Sequence, residues 1–323
     1  MKRIAVFTSG GDSPGMNACL RAVVRTAIFH NLEVFGIYRG YQGMIEGDFV
    51  EMPSKSVGNI IQRGGTILKS ARSKEFMTFE GRQKAAENLK KFQIDGVVAI
   101  GGDGTFTGAD IFMKEFGVPF IGLAGTIDND LVGTDFTIGY DTAINTVVQA
   151  VDKIRDTANS HNRLFVVEVM GKDAGFIALR SGIGSGAEAV LIPETTTYIS
   201  ELIEKLERGR RANKTSGIIM VAEGDQSGGA YQVAEKIKER FDYYDIRVSI
   251  LGHMQRGGSP SAMDRVLASR LGYEAVLALK EGRKGEMIGI VDKKVTYTPF
   301  EKAIKHHIKV NQSLLTLIDV LSI

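Results

Sequence analysis

Short β-branched runs alternate with amphipathic stretches almost from one end of this 323-residue chain to the other. Ile4–Thr8, Glu33–Tyr38, Gly96–Ile100, Pro119–Leu123, Arg163–Met170, Ala189–Ile192, Ser216–Ala222 and Ile246–Leu251 have the length and residue types of strands. Met16–Phe29, Arg82–Phe92, Phe106–Phe116, Asp141–Thr157, Ile199–Arg211, Tyr231–Phe241 and Met263–Lys280 carry apolar residues at helical spacing. A strand followed by a helix rejoins its sheet as a parallel neighbour, so the alternation predicts an α/β fold with helices on both faces of parallel sheets. The length suits two domains of about 150 residues each. With six prolines and no Ser/Gly-rich linker, a domain boundary is expected in a tight passage near Phe136–Tyr140.

Composition removes several classes of function. An apolar content of 43% and a charged content of 24% are ordinary for a globular protein, and no window approaches the roughly 20 uninterrupted apolar residues of a membrane span. The start, Met1 to Phe7, has a charged tip, but its apolar run reaches Gly10-Gly11-Asp12 too soon for a signal segment and reads as a first strand. The single cysteine, Cys19, excludes an internal disulfide and, inside an expected helix, reads as a buried structural residue. The cytoplasm is the expected compartment. A net charge of +2 exerts no global pull on nucleic acid, so any affinity for anions rests on local cations.

The chemistry concentrates where apolar runs end. Residues 121 to 130 read Ile-Gly-Leu-Ala-Gly-Thr-Ile-Asp-Asn-Asp, a strand that runs out into a glycine, a threonine and the carboxylates Asp128 and Asp130. A further carboxylate, Asp103, stands in Gly101-Gly102-Asp103-Gly104-Thr105, where the run from Gly96 ends. Both acidic tips can therefore meet at the edge of a parallel sheet where open α/β sheets bind ligands. Asp103 could hold Mg²⁺ through water or cap a helix. Asp128 and Asp130 would point the same way on an extended backbone, whereas a turn would divide them between metal and substrate, one serving as general base. Paired acids in a loop can also be merely solvated. The first turn, Thr8 to Asn17, carries glycines that let backbone amides approach a phosphate, yet it is neither Gly-x-Gly-x-x-Gly nor a Walker A loop. Arg72, Arg163, Lys172, Arg247 and Arg256 stand beside glycines or strand ends, placed either as surface charges or as phosphate clamps. His253, beside Arg256, could be a satisfied loop histidine or an anion ligand.

Taken together, Ser9-Gly10-Gly11-Asp12-Ser13-Pro14-Gly15-Met16-Asn17, Gly101-Gly102-Asp103-Gly104, Gly125-Thr126-Ile127-Asp128-Asn129-Asp130 and Gly252-His253-Met254-Gln255-Arg256-Gly257-Gly258-Ser259-Pro260 closely resemble the bacterial 6-phosphofructokinase family, in order and over essentially the whole chain. The resemblance implies two doubly wound, Rossmann-like parallel-sheet domains between which the chain crosses. Residues 1–139 plus 254–304 would bind ATP, and 140–253 plus 305–323 would bind fructose 6-phosphate. It implies transfer of the ATP γ-phosphoryl group to the 1-hydroxyl of fructose 6-phosphate, with Mg²⁺, as the committed step of glycolysis. Asp128 would be the base, with Thr126 beside the transferring group and Lys172 completing the catalytic set. Asp103 would hold Mg²⁺, supported by Asp130. Gly11, Arg72, Ser73, Gly102, Asp103, Gly104 and Thr105 match ATP-binding positions. Thr126, Ile127, Asp128, Met170, Gly171, Lys172, Glu223, His253, Met254, Gln255 and Arg256 match substrate positions. Arg163 and Arg247 match arginines that reach the substrate from a neighbouring subunit, which implies an oligomer, usually a tetramer.

Departures from the family pattern qualify this. Lys172 stands where the family usually has arginine, so a fork becomes a point charge. Met77 replaces a basic residue. Of an allosteric nucleotide site, Arg21, Arg25, Arg155, Glu188 and Lys214 match, but Ser54 and Ala212 fill places commonly basic, and Arg21 and Arg25 could be a solvated helix face. Gly104 and Gly125 favour ATP over pyrophosphate, since the family's pyrophosphate users commonly carry Asp and Lys there. A NAD kinase would share the glycine–aspartate turn but predicts an all-β second half. A non-catalytic sugar-phosphate sensor on the same scaffold is the reading from outside enzymology.

Overall fold

The computed structural model describes residues 1–304 and 310–322. The chain opens with β1 (Arg3–Thr8), α1 (Met16–Phe29), β2 (Glu33–Ile37), α2 (Tyr41–Glu46), β3 (Phe49–Glu51), α3 (Phe79–Lys91), β4 (Gly96–Gly101), α4 (Asp103–Phe116) and β5 (Phe120–Ala124). A middle passage follows, with α5 (Tyr140–Asn159), β6 (Arg163–Val169), α6 (Phe176–Gly184), β7 (Ala189–Leu191), α7 (Ile199–Arg211), β8 (Gly217–Ala222), α8 (Ala230–Lys238) and β9 (Asp245–Ile250). The last passage holds α9 (Ala262–Lys280), β10 (Glu286–Val291), β11 (Lys294–Pro299), α10 (Phe300–Ala303) and α11 (Gln312–Leu321).

Contacts divide the described residues into two units, Met1–Thr142 with the segment from Arg256, and Ala143–Gln255 with α11. The crossings expected after 139 and 253 stand a few residues from these divisions. The one expected after 304 leads into residues outside the described ones.

The first unit is a seven-stranded sheet in the order β11-β10-β5-β4-β1-β2-β3. Its five central strands run parallel, while β3 and β11 pair antiparallel with β2 and β10, a departure from the all-parallel expectation. The β10–β11 connection is too short for the crossover that a parallel neighbour requires. Side chains alternate across the sheet. Ile4 and Val6 face a core shared with α1 and α9, and Ala5 and Phe7 face one shared with α2, α3 and α4. Both faces are thus covered, and β4 is buried at every residue, as a central parallel strand should be. Cys19 is fully buried inside α1, and burial pushes its thiol pKa up, which makes it a packing residue.

The second unit is a four-stranded parallel sheet in the order β7-β8-β6-β9. Leu164, Val166, Ile219 and Val221 pack beneath α7 and α8. Close approach of Gly182 to Val190 and Met220 seats α6 on the opposite face. Strand–helix alternation therefore continues through the second half, which overturns the all-β expectation of a NAD kinase. Among the described residues no helix is long and apolar enough to cross a membrane.

Candidate active site

In the first unit, β5, β4 and β1 are parallel neighbours, and the turns that follow them lie side by side at their C-terminal ends. The backbone ties these turns together, since Ser9 N–H donates to the Ile100 carbonyl and Gly125 N–H to the Gly101 carbonyl, each at 2.9 Å. Connections from β1 and β4 leave toward opposite sides of the sheet, which makes this edge a topological switch point.

The turn after β1 reverses through Gly10 and Gly15, both at positive φ (81° and 113°). A Cβ on Gly11 would overlap the Arg256 guanidinium, whose Nη1 donates to the Asp12 carbonyl at 3.3 Å. Arg256 and Gly11 therefore share one edge of this turn. Asn17, nearly fully buried, donates to the carbonyls of Arg63 and Gly64 and accepts from Ile67 N–H at 2.8 Å, so the end of the motif anchors a loop. Arg72 is exposed beyond that loop, and Ser73 Oγ donates to Gln42 Oε1 at 2.7 Å.

The turn after β4 speaks against the capping reading of Asp103. The N-cap of α4 is Gly102 and no side chain caps it, while Asp103 is the first helical residue. Its Oδ1 is buried and has no hydrogen-bond partner among the described residues. A carboxylate oxygen that neither caps nor pairs has the chemistry of a cation ligand. Thr105 is buried, and a Cβ placed on Gly104 would meet nothing within 4 Å.

After β5 the chain turns rather than continuing extended, so Asp128 and Asp130 do not alternate along a strand. Asn129 sits at φ 54° and is held by Thr137 N–H on its Oδ1 at 2.8 Å. Thr137 Oγ1 donates to the Thr126 carbonyl at 2.6 Å, and Asp128 N–H donates to Thr126 Oγ1 at 3.2 Å. Asp128 is only 8% exposed, and Asp130 more open. The Ile127 side chain is fully buried, so only its backbone can face a ligand.

In the second unit, a turn after β6 carries Met170, Gly171 and Lys172. Glu223 Oε1 accepts from Gly171 and Lys172 N–H, at 3.3 and 2.6 Å, and buried Gln255 accepts from Met170 N–H at 3.3 Å. Lys172 itself has φ 56°, and its ammonium is 3.7 Å from Asp173 with 68% of the side chain exposed. His253 and Met254 are exposed on the short helical turn that contains Gln255. Arg163 and Arg247 share one carboxylate, Asp245, at 3.2 and 2.8 Å, on the sheet's edge strand β9.

Arg21 and Arg25 lie on the outer face of α1 in the first unit. In the second, Arg155 donates to the Ser185 and Gly186 carbonyls, while Lys214 pairs with Glu188 and donates to the Ser322 carbonyl, both at 2.9 Å. Own-chain acceptors already engage Arg155 and Lys214.

Sequence reasoning missed Asp264. Its buried carboxylate accepts from Gly139 N–H and Thr142 N–H at 2.8 Å and from the Thr142 hydroxyl at 2.5 Å, which pins the start of α5 to that of α9. Burial pushes its pKa up. Ser261, the N-cap of α9, three residues before Asp264, was the available signal, since a capping serine marks a helix start.

An open, largely parallel sheet with glycine turns and carboxylates at adjacent strand ends is the class of α/β architecture that binds nucleotides at its switch point. The sequence model of the family described as Phosphofructokinase matches residues 3–279. An ATP-dependent 6-phosphofructokinase of Cytophaga hutchinsonii is 58% identical over 322 residues, which is 100% of this chain and 98% of that protein. An ATP-dependent 6-phosphofructokinase 2 of Bacteroides thetaiotaomicron is also 58% identical, over 100% of this chain and 99% of its own. Among solved structures, phosphofructokinase from Saccharomyces cerevisiae aligns with a TM-score of 0.90 at 39% identity, covering 100% of this chain and 47% of the yeast chain. This chain thus spans about half of the yeast one. It belongs to the phosphofructokinase family.

Proposed function

We propose that the chain is an ATP-dependent 6-phosphofructokinase, which moves the ATP γ-phosphoryl group to the 1-hydroxyl of fructose 6-phosphate in the committed step of glycolysis. Support comes from relatives of that name at 58% identity over essentially their whole length. Within the site, the observation that carries the choice of donor is Gly104. Open space in front of it leaves room for a nucleotide phosphate, where an aspartate would project. Gly125 favours the same donor, since a Cβ there would come within 2.9 Å of Ile100 Cγ2 and 3.1 Å of Met16 Cε, so a lysine would have to displace both side chains.

On this reading the unit built on the seven-stranded sheet holds ATP through Gly11, Arg72, Ser73 and the Gly102–Thr105 turn, and the other unit supplies the sugar-phosphate contacts. The partnerless Asp103 oxygen fits Mg²⁺, with Asp130 as the second carboxylate. Among the described residues no group of three or more His, Cys, Asp or Glu could hold a metal. That suits a cation that takes one or two carboxylates, keeps its waters and binds phosphate for the rest. When bound, it would neutralise charge on the donor phosphates. Asp128 takes the proton from the acceptor hydroxyl, Thr126 stands beside the transferring group, and the Lys172 ammonium stabilises charge that develops on it. Met170, Gly171, Glu223, His253, Met254, Gln255 and Arg256 orient fructose 6-phosphate, with Glu223 and Gln255 shaping the 170–172 turn.

Arg163 and Arg247 would serve a neighbouring subunit's substrate in a homotetramer. In favour of this, Arg247 lies on the edge strand β9 and Arg163, at the start of β6, shares its partner Asp245, while the end of β9 opens on a groove of about 450 Å³ lined by Gln149, Ile154, Ile250, Leu251 and Met254. The effector site would respond weakly, given Ser54 and Ala212. ATP as donor and a lone buried thiol suit the cytoplasm.

A coupled assay with fructose 6-phosphate and either ATP or pyrophosphate tests the reading. Turnover with ATP and none with pyrophosphate is expected. Faster turnover with pyrophosphate would overturn the choice of donor, and activity with neither would favour the sensor reading.

A further inference from the structure

Arg82 belongs to none of the residue sets above, yet its guanidinium joins three segments of the first unit. From the first turn of α3, Nη1 donates to the carbonyls of Phe76 and Met77 at 3.1 and 2.9 Å. Nε and Nη2 donate to the two carboxylate oxygens of Glu115, near the end of α4, at 2.5 and 2.7 Å. The Arg82 side chain is only 12% exposed, and although Glu115 lies at the surface, the fork-to-fork geometry gives two parallel charge-assisted bonds in place of the single flexible contact of an ordinary surface pair.

The two carbonyls belong to an otherwise irregular passage. Residues 70–73 have no regular secondary structure, and residues 75–77 make a single short helical turn. The Phe76 ring stacks on Tyr41 with centroids 3.9 Å apart, and on Phe112 of α4 at 5.7 Å. Phe76 N–H donates to Ser73 Oγ at 3.1 Å, and the Tyr41 hydroxyl donates to the Thr105 carbonyl at 2.5 Å. Contacts thus run without a break from Ser73 through Phe76 and Tyr41 to Thr105, and Arg82 with Glu115 closes the far side of the loop onto the same helix.

We propose that Arg82 and Glu115 form a positioning pair for the phosphoryl donor. They fix the 72–77 passage on α4, so that Arg72 and Ser73 stand in register with the Gly102–Thr105 turn before the nucleotide arrives. The proposal rests on the ATP-binding reading of those residues. A loop ordered in advance spares the ligand the cost of ordering it, so the pair acts on donor affinity and leaves the chemical step and the acceptor untouched.

Steady-state kinetics with each substrate varied separately provide the test. Arg82→Met keeps the bulk of the stem but removes every donation. It should raise the KM for ATP about tenfold while kcat and the KM for fructose 6-phosphate stay within about twofold of wild type. Arg82→Lys, which can still reach Glu115 but cannot fork to both carbonyls, should recover part of the loss. Adding Arg82→Met to Glu115→Ala should cost less than the two single effects together, because they remove one shared interaction. An unchanged KM for ATP in Arg82→Met would overturn the proposal. So would equal rises in both KM values with a lowered Tm, the signature of a merely structural residue. Arg72→Ala is measured alongside. If it leaves the KM for ATP unchanged while Arg82→Met raises it, the nucleotide reading of the loop fails and the proposal with it.

Discussion

Asp128 and Glu115 show what surroundings do to a carboxylate. Asp128 is 8% exposed at a strand tip beside Thr126, so the substrate hydroxyl proposed to reach it would meet little competing bulk water. Asp128→Asn keeps the shape and loses the ability to accept a proton. Turnover at saturating substrate should fall by about 10²- to 10⁴-fold with the KM for ATP little changed, as stopped or coupled assays would show. Turnover within threefold of wild type would remove Asp128 from its assigned role. The Glu115 carboxyl, by contrast, is held below its ordinary value of 4.5 by hydrogen bonds from Arg82. A depressed carboxylate contributes stability that is complete above its unfolded pKa and is lost as pH falls through the folded one. Urea denaturation should therefore find wild type more stable than Glu115→Gln by a constant margin at neutral pH, with the margin closing as pH drops below 4.5. A margin that widened on acidification would contradict the pairing.

Among elements, α1 packs closely against α9 where α9 lacks a side chain. A Cβ on Gly272 would lie 2.8 Å from both the Cys19 carbonyl and the Ala22 Cβ, so this glycine sets how near the helices approach. Gly272→Val should destabilise the first unit by about 1–3 kcal/mol through overpacking against backbone that cannot yield, measured from urea midpoints. No loss would mean that the helices can part freely. The elements also show where local signals succeed. All eight strands expected from β-branched runs are present, and Met16–Phe29 and Ile199–Arg211 are helices over the expected bounds. The β10–β11 hairpin escaped because its turn residues, Asp292 and Lys293, both adopt positive φ (49° and 66°) without the glycine that announces such a turn. Helix α2 is only six residues long, bounded by Gly40 and Gly47, too short to show a period. Helix α11 begins at an Asn311 cap that accepts from Ser313 N–H at 3.0 Å, a local signal that could have been read.

At the scale of the whole molecule, the oligomer proposed above makes each active site joint property, with Asp128 from one subunit and Arg163 and Arg247 from its neighbour. Asp128→Asn and Arg163→Ala oligomers should each be nearly inactive. Co-refolding the two variants should restore part of the activity, because some sites then combine an intact Asp128 with an intact Arg163. Differential tagging would establish that mixed oligomers form. Mixed oligomers no more active than their parents would mean that the site is built from a single chain.

By itself the sequence determined the α/β class, the strand tips on which Asp103 and Asp128 stand and the family, because each depends on residues close together in the chain. Apolar runs ending in glycine and acid specify a strand and its turn without reference to anything distant. Only the tertiary structure decided that Asp103 is no helix cap, that Arg155 and Lys214 are engaged by their own chain, and that Arg82 joins Phe76 to Glu115. The same holds for Asp264, whose partners at Gly139 and Thr142 lie more than a hundred residues away. These roles arise from which segments the fold brings together. A carboxylate or guanidinium carries no local mark of the donor or acceptor it will meet, whereas burial makes that partner obligatory once the segments have met.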